Sequence, residues 1–379
     1  MIFIYRFIFL LVKIPILILQ PLLNSKMKSW LALRSRKNLK TKTFSNSYWF
    51  HASSGEIEYC KSVIRLLKNR KPDAQIVVTY SSPSAEKLFY NVAEYVDEFL
   101  PLPWDQPKAI SELISYINPQ FLIFSKTDLW PELIFQAQKR KIKMGVISFS
   151  PKIDFLSRLI NSWVLPQLDF VHLVTDGDTR FDQVFHRLEQ PSKIKISTES
   201  KVFICGSTWP EDEAILFKAF QELEKKNIKI ILCPHEVGVP NIQRIQKELH
   251  RNQLTSQLLS NEPDRQNIKI DKNVLIVDEI GVLADAYRFA DVAFVGGSFK
   301  DKIHSVMEPL CCGLPVITGP HFKNNLEAVR YQGRFVFALK TSDEMSSYVE
   351  KLLLCLRKEI SVEMKRSRNA SAKVLTIFD

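Results

Sequence analysis

The sequence predicts an α/β protein of two doubly wound, parallel-sheet domains facing a central cleft, and three observations predict it. Short apolar runs alternate with longer amphipathic stretches through the first half, the alternation returns in the second half, and a polar, strand-poor segment, QPSKIKISTESK at 190–201, lies between. With 379 residues and 46% hydrophobic content, the chain has material for two cores of ordinary size. The expected divisions are 1–43, an apolar and basic leading segment; 44–195, a first domain; 200–357, a second domain; and 358–379, a polar and basic tail. In such domains ligands bind at the carboxyl ends of the strands.

The leading segment comes first in the argument because it holds most of the charge asymmetry. The net charge is +11, and Arg6, Lys13, Lys26, Lys28, Arg34, Arg36, Lys37, Lys40 and Lys42 all precede the first acidic residue, Glu56. Among them runs IFIYRFIFLLVKIPILILQPLL at 2–23, broken by Arg6, Lys13 and Pro15. Its uncharged stretches are shorter than the roughly 20 residues of a spanning helix, although long basic side chains can snorkel. No small-residue cleavage site follows it, which argues against a secreted product. The pattern reads as a membrane anchor lying in the interface, its basic cluster drawn to an anionic surface at about 1 kcal/mol per cation. A buried helix of the first domain is the alternative. A nucleic-acid partner is not expected, because the basic stretch lacks interleaved aromatics beyond Trp30. The six cysteines form no CxxC pair and several sit in apolar runs, which reads as a reducing compartment, and no His or Cys spacing suits zinc.

In the first domain, strands are expected at 48–51, 76–80, 121–125, 144–149 and 170–174. The stretch 58–68 places Tyr59, Val63, Leu66 and Leu67 on one face of a helix. Just before it the chain reads His51-Ala52-Ser53-Ser54-Gly55-Glu56, so Glu56 stands at a strand's carboxyl end. It reads either as a general base, an action worth about 10²–10⁴-fold in rate, or as a first-turn glutamate that complements the helix dipole. Asp128, in Asp128-Leu129-Trp130-Pro131, supplies a second carboxylate at such an end, in a loop packed by Trp130.

The second domain should hold strands at 202–205, 228–233, 274–277, 292–295, 316–318 and 335–338. Gly206-Ser207-Thr208 follows the first of these and precedes a helix led by Pro210, a turn that can cradle a phosphate or simply cap the helix. His235 follows the next strand, and Gly281 sits at a strand-to-helix junction before an apolar face of Leu283, Ala286, Tyr287 and Ala290. The stretch 291–320 is the most informative, since it reads as a buried strand, a glycine turn, a polar loop, a short helix and another strand, the pattern of a nucleotide-sugar site. Gly296-Gly297-Ser298 would let a ligand approach the backbone closely. His304 and Glu308 follow on the next loop and helix start; Pro309 requires that helix to begin near Val306, and Gly313 can end it. His235 and His321 read equally as site groups or as surface loop histidines. Thr341 and Glu344 form a capping box for a last helix with Met345, Tyr348, Val349, Leu352, Leu353 and Leu356 on its apolar side.

Taken together, HASSGE at 51–56, TDLWPELI at 127–134, GST at 206–208, DEIGVLADAYRFADVAFVGGS from Asp278, HSVMEP from His304 and PVITGPHFKN from Pro315 resemble the 3-deoxy-D-manno-octulosonic acid (Kdo) transferases. The resemblance runs over nearly the whole chain, including the leading segment, and its last block is the most specific. It implies the GT-B fold, two Rossmann-like domains about a cleft, and transfer of Kdo from CMP-Kdo to a lipid A precursor with inversion, without a metal or other cofactor. It also implies Glu56 as the catalytic base, and Ser207, Thr208, His235, Gly281, His304, Glu308 and Asn324 around the CMP-sugar, with His304 near the phosphate and Glu308 on the ribose. Ser53, Ser54 and Asp128 then fall on the acceptor side of the cleft, and the protein would sit at the cytoplasmic face of an inner membrane, monotopic or held by one N-terminal anchor. Four positions depart from the family pattern. Lys302-Ile303 replaces Gly-Gly, Pro234 stands where an arginine precedes the histidine, Val282 replaces a glutamate, and one residue fewer separates His51 from Glu56. Lys302 could restore the positive charge that the missing arginine removes. A different nucleotide sugar, or a nucleotide-binding membrane protein without catalysis, are the readings these departures open.

Overall fold

A computed structural model describes residues 1–35, 44–151, 154–354 and 357–378. Arg36, Lys37, Lys40 and Lys42, the expected domain boundary at 43, Cys355 and Leu356 lie outside the described residues. The chain forms two compact units, Met1–Gln183 with Ser367–Asp379, and Val184–Arg366.

The first unit is built on six strands: β1 (Ser47–His51), β2 (Ile76–Tyr80), β3 (Glu98–Pro101), β4 (Pro119–Ser125), β5 (Lys143–Phe149) and β6 (Phe170–Leu173). They pair in the order β3-β2-β1-β4-β5-β6, all parallel. Both faces of the sheet are covered, so β1 and β2 are buried at every residue and their sequences are continuous rather than alternating. β3 was not expected from the sequence. It is a short edge strand with alternating burial and one glutamate, Glu98, which accepts a bond from Tyr116 Oη at 2.7 Å. The strand order reverses between β1 and β4, which places the ligand crevice of this unit at their carboxyl ends.

Helix α1 (Ile2–Ile18) and helix α2 (Ser25–Ser35) belong to this unit. Arg6 and Lys13, expected to break an apolar segment, instead face the protein. Arg6 grips the buried Glu132 through two bonds of 2.7 and 2.9 Å, Lys13 donates to Gln106 Oε1, and Tyr5 donates to Asp105. Turning the cations inward leaves an outward stripe of Phe3, Phe7, Ile8, Leu11, Ile14 and Ile18 exposed. Among the described residues no helix is long and apolar enough to cross a membrane. Arg34 is buried and lies over the rings of Trp30 and Trp130, so it too is turned away from solvent.

Helix α3 (Ile57–Arg70) buries Tyr59, Val63 and Leu67 on one face, and Val63 and Leu67 share an apolar cluster with Val374 and Leu375. The expected tail at 358–379 is therefore divided. Helix Arg357–Arg366 buries Ile360 and Met364 in the second unit, while helix Ala370–Leu375 returns to the first. There Ser371 Oγ meets Ser62 Oγ at 2.6 Å, and Asp182 accepts the N–H groups of Asn369 and Ser371. The first change of unit likewise falls at 183/184, inside helix Thr179–Glu189, rather than at the expected 195–200. A helix carries no polar break where it passes from one core to another, so composition does not mark that point.

The second unit holds a two-stranded ribbon of β7 (Ile196–Ser197) and β11 (Ile268–Lys269). Its main sheet consists of β8 (Val202–Thr208), β9 (Lys229–Pro234), β10 (Ser256–Leu258), β12 (Val274–Ile276), β13 (Val292–Val295), β14 (Val316–Thr318) and β15 (Val336–Ala338). The order is β10-β12-β9-β8-β13-β14-β15, again parallel, with its reversal between β8 and β13. β10 and the ribbon are too short and polar to stand out in the sequence. The expected capping box forms, with Glu344 N donating to Thr341 Oγ1 at 3.2 Å, and Met345, Val349 and Leu352 are buried beneath it.

Candidate active site

In the first unit, the site grows from the ends of β1 and β4. Glu56 sits at the N-cap of α3, yet its side chain caps no backbone N–H. Oε1 accepts a long bond from Thr127 Oγ1 at 3.3 Å, and Oε2 is buried without a hydrogen-bond partner. Burial first, and then the nearby Asp128 carboxylate, push the Glu56 carboxyl up to about 7. Burial also acts to raise Asp128, but bonds from His51 Nε2 and Ser81 Oγ, both at 2.9 Å, outweigh it and hold that carboxyl below the ordinary value. The two carboxylates are thus driven apart in proton affinity by their surroundings, an arrangement suited to proton removal near neutral pH.

Asp128 is positioned by a relay that the sequence did not reveal. Trp49 Nε1 donates to Thr79 Oγ1 at 2.7 Å, that hydroxyl bonds His51 Nδ1 at 2.8 Å, and His51 Nε2 donates to Asp128. His51 is buried at the last position of β1, opposite Phe124 of β4 in register. Its place at a strand's carboxyl end was the available signal; its partner, 77 residues away, was not. Ser53 and Ser54 join a hydroxyl cluster, Ser53 through Ser81 at 3.0 Å and Ser54 through Ser84 at 2.9 Å.

In the second unit, the site grows from the ends of β8, β9 and β13. Ser207 has φ of +55°, at a register shift between Gly206 and Thr208. Thr208 is buried and its hydroxyl donates inward to Glu213 Oε1 at 3.0 Å, so it supports the turn instead of lining it. Asp212, near the start of helix Pro210–Glu224, accepts the N–H groups of Trp209, Gly297 and Phe299 at 2.9, 2.7 and 3.0 Å. This carboxylate joins the turn after β8 to the turn after β13. Gly296 and Gly297 are required by the chain itself. A Cβ at Gly296 would meet Ser207 O at 2.3 Å, and one at Gly297, where φ is +83°, would meet Lys302 O at 2.4 Å.

His304 lies in that loop with its backbone held at both ends, its N–H on Gly296 O at 3.1 Å and its carbonyl on Asn325 Nδ2 at 3.2 Å. Its ring stacks on His235 at 4.6 Å, and Trp209 stacks on His235 at 4.5 Å. Trp209 Nε1 donates to His304 Nε2 at 3.1 Å, while Lys300 Nζ stands 3.7 Å from the centre of the indole ring. Burial, with His235 and Lys302 adding positive field, brings the His304 imidazole down to about 4. Trp209 and Lys300 were missed in the sequence, where Trp209 reads as the residue before a helix and Lys300 as one of many loop cations. Lys300, rather than Lys302, is the cation lodged on the rings. Asn324 does not face the site freely, since its amide binds both the N–H and the carbonyl of Ile303 at 3.1 and 3.0 Å. Ile303 itself is buried. Glu308 opens helix Met307–Cys311 and lies 3.7 Å from Arg187 Nη1, whose Nη2 donates to the carbonyl of Gly281 at 3.3 Å. Gly281 has φ of +85°, a conformation that favours glycine at this junction. No group of three His, Cys, Asp or Glu side chains able to hold a metal is present among the described residues.

The chain resembles known proteins in sequence and in fold. Residues 28–190 match the family model of the 3-deoxy-D-manno-octulosonic-acid transferases (kdotransferases). The chain is 26% identical to the 3-deoxy-D-manno-octulosonic acid transferase of Aquifex aeolicus, over 89% of this chain and 93% of that one. It is 28% identical to the enzyme of the same name from Chlamydia pneumoniae, over 83% of this chain and 79% of the relative. Among solved structures, UDP-GlcNAc 2-epimerase from Neisseria meningitidis superposes with a TM-score of 0.53 at 13% identity, covering 87% of this chain and 98% of that one, a likeness of fold alone. The pair of Rossmann-like units is thus of the GT-B type that the sequence led us to expect.

Proposed function

We propose that this chain, a Kdo transferase by its family domain and by its likeness to such enzymes over most of its length, takes Kdo from CMP-Kdo and delivers it with inversion to a lipid A precursor. The observation that carries the reading is the Glu56 carboxyl, buried, raised to about 7 and without a hydrogen-bond partner at Oε2. Deprotonated Glu56 accepts the proton of an acceptor hydroxyl as that oxygen bonds to the anomeric carbon. The bond to the CMP phosphate breaks in the same displacement, and the electron pair leaves with the phosphate. One displacement inverts the centre. Ser207, His304 and Lys300 are the groups we assign to the departing phosphate, where N–H donors and a cation stabilise the charge that develops. Thr208 and Asn324 hold the frame, His235 stacks beneath His304, and Glu308 with Gly281 takes the nucleoside end. Ser53 and Ser54 fit the acceptor's hydroxyls, with Asp128 tuning Glu56. No step of this proposal requires a metal or other cofactor.

We assign the outward apolar stripe of α1, with the exposed Lys26 and Lys28 beyond it, to the interface of an anionic inner membrane on its cytoplasmic face, where the acceptor lipid would be met. Co-sedimentation with anionic vesicles should fall at least tenfold for Phe7→Glu/Leu11→Glu, and unchanged sedimentation would remove this assignment. The test of the reaction is mass spectrometry of the product formed from CMP-Kdo and a lipid A precursor. A Kdo-bearing glycolipid is expected, and the number of added sugars is read from its mass. A second reading, another nucleotide sugar as donor, is favoured by the buried Ile303 and by Pro234 preceding His235. Thermal shifts with CMP, UDP and GDP separate the two, since the leading proposal requires CMP to stabilise most.

A further inference from the structure

Trp209 touches every element of the ring cluster in the second unit, and its hydrogen bond has a definite chemical consequence. An indole N–H can only donate, so His304 Nε2, which receives it at 3.1 Å, must carry a lone pair. A neutral imidazole has one proton, which is then on Nδ1. We infer that Trp209 is a positioning residue that locks His304 as the Nδ1–H tautomer, so that the ring offers a neutral N–H donor to a phosphate-type oxygen.

Three further contacts keep the ring from escaping this assignment. The backbone on either side of the imidazole is held by Gly296 and Asn325. The Cδ2–Nε2 edge faces Gly297, where a Cβ would lie 3.2 Å from Cδ2 and 3.5 Å from Nε2. The ring face is covered by His235 at 4.6 Å. Protonating Nε2 would break the indole bond and set a cation beside His235 and Lys302, with Lys300 across the same indole. The Asp212 carboxylate lies on the backbone of the same turns, occupied by the N–H groups of Trp209 and Gly297, while His235 and Lys302 both oppose a second proton on the ring. The division of labour follows: His304 gives direction through Nδ1–H, and Lys300, lodged on the indole, gives the positive charge. Trp209 organises both. This inference rests on the reading of the second unit as the donor-phosphate site, and it adds the residue that sets the donor's protonation state.

The test uses the full chain labelled with ¹⁵N-histidine, with the His304 signal identified by its loss in His304→Asn. In the wild type, one protonated Nδ1 and one unprotonated Nε2 are expected, unchanged from pH 8 to 5.5. Trp209→Phe keeps the aromatic face but removes the N–H. His304 should then mix tautomers and titrate at least one pH unit higher than in the wild type. CMP affinity of Trp209→Phe at pH 7.5 should be about tenfold weaker than wild type, about 1.4 kcal/mol. The ratio of the two affinities should shrink at pH 6, where protonation returns a proton to Nδ1. A purely structural role for Trp209 would leave that ratio independent of pH. An Nε2–H signal in the wild type overturns the inference whether or not the variant folds, as does an unmoved tautomer in Trp209→Phe. Wild-type protein that shows the expected tautomer but no CMP binding would overturn the phosphate reading instead, leaving the lock in place.

Discussion

Replacing Glu56 by Gln tests the site through both activity and stability. The carboxyl is raised from its ordinary 4.5 to about 7, mainly by burial and then by Asp128. A rise of that size corresponds to on the order of 3 kcal/mol between the protonated and ionised forms. Because the folded value lies above the unfolded one, Glu56 costs nothing below about pH 4.5, and stability is lost as the pH rises toward and through 7. Glutamine keeps the shape and cannot ionise. Urea denaturation should therefore show Glu56→Gln gaining roughly 2 to 3 kcal/mol over the wild type between pH 5 and pH 8. The same variant should lose about 10²–10⁴-fold in kcat, and the wild-type rate should rise with pH through a midpoint near 7. An advantage of equal size at pH 5 and pH 8 would refute the burial argument. Retention of rate within tenfold would refute the base.

Asp128→Asn removes the like charge while keeping an acceptor for His51 and Ser81, so the midpoint of the pH–rate profile should move toward acid by about one pH unit. Arg6→Ala leaves the fully buried Glu132 without its cation and should cost about 3 kcal/mol in denaturant unfolding. Gly297→Ala places a Cβ against Lys302 O at a positive φ; it should weaken CMP binding at least tenfold by shifting the loop that carries His304, as isothermal titration would show.

Much of this fold could be read locally. Buried parallel strands show as continuous apolar runs, the Thr341–Glu344 box marks its helix start, and Pro309 with Gly313 brackets a short helix. Each depends on neighbours a few residues apart. The same holds for the position of Glu56 between a strand end and a helix, which is why it stood out before its surroundings were known.

What lay beyond the sequence depends on residues brought together from far apart. The parallel pairing of β1 with β4 brings His51 to Asp128, and burial, with the Asp128 charge adding to it, makes Glu56 a carboxyl of raised proton affinity instead of an ordinary helix-start glutamate. Helical rotation, decided by Glu132 and Gln106, turns Arg6 and Lys13 inward and leaves α1 with an unbroken apolar face. Thr208 and Asn324 look like ligand groups until their partners, Glu213 and the backbone of Ile303, take up their hydrogen bonds. Sequence alone located the turns at which chemistry can occur, because turn and strand signals are local. Only the tertiary structure decided which side chains face those turns and in what protonation state, because burial, charge and hydrogen-bond partners are set by contacts between distant segments.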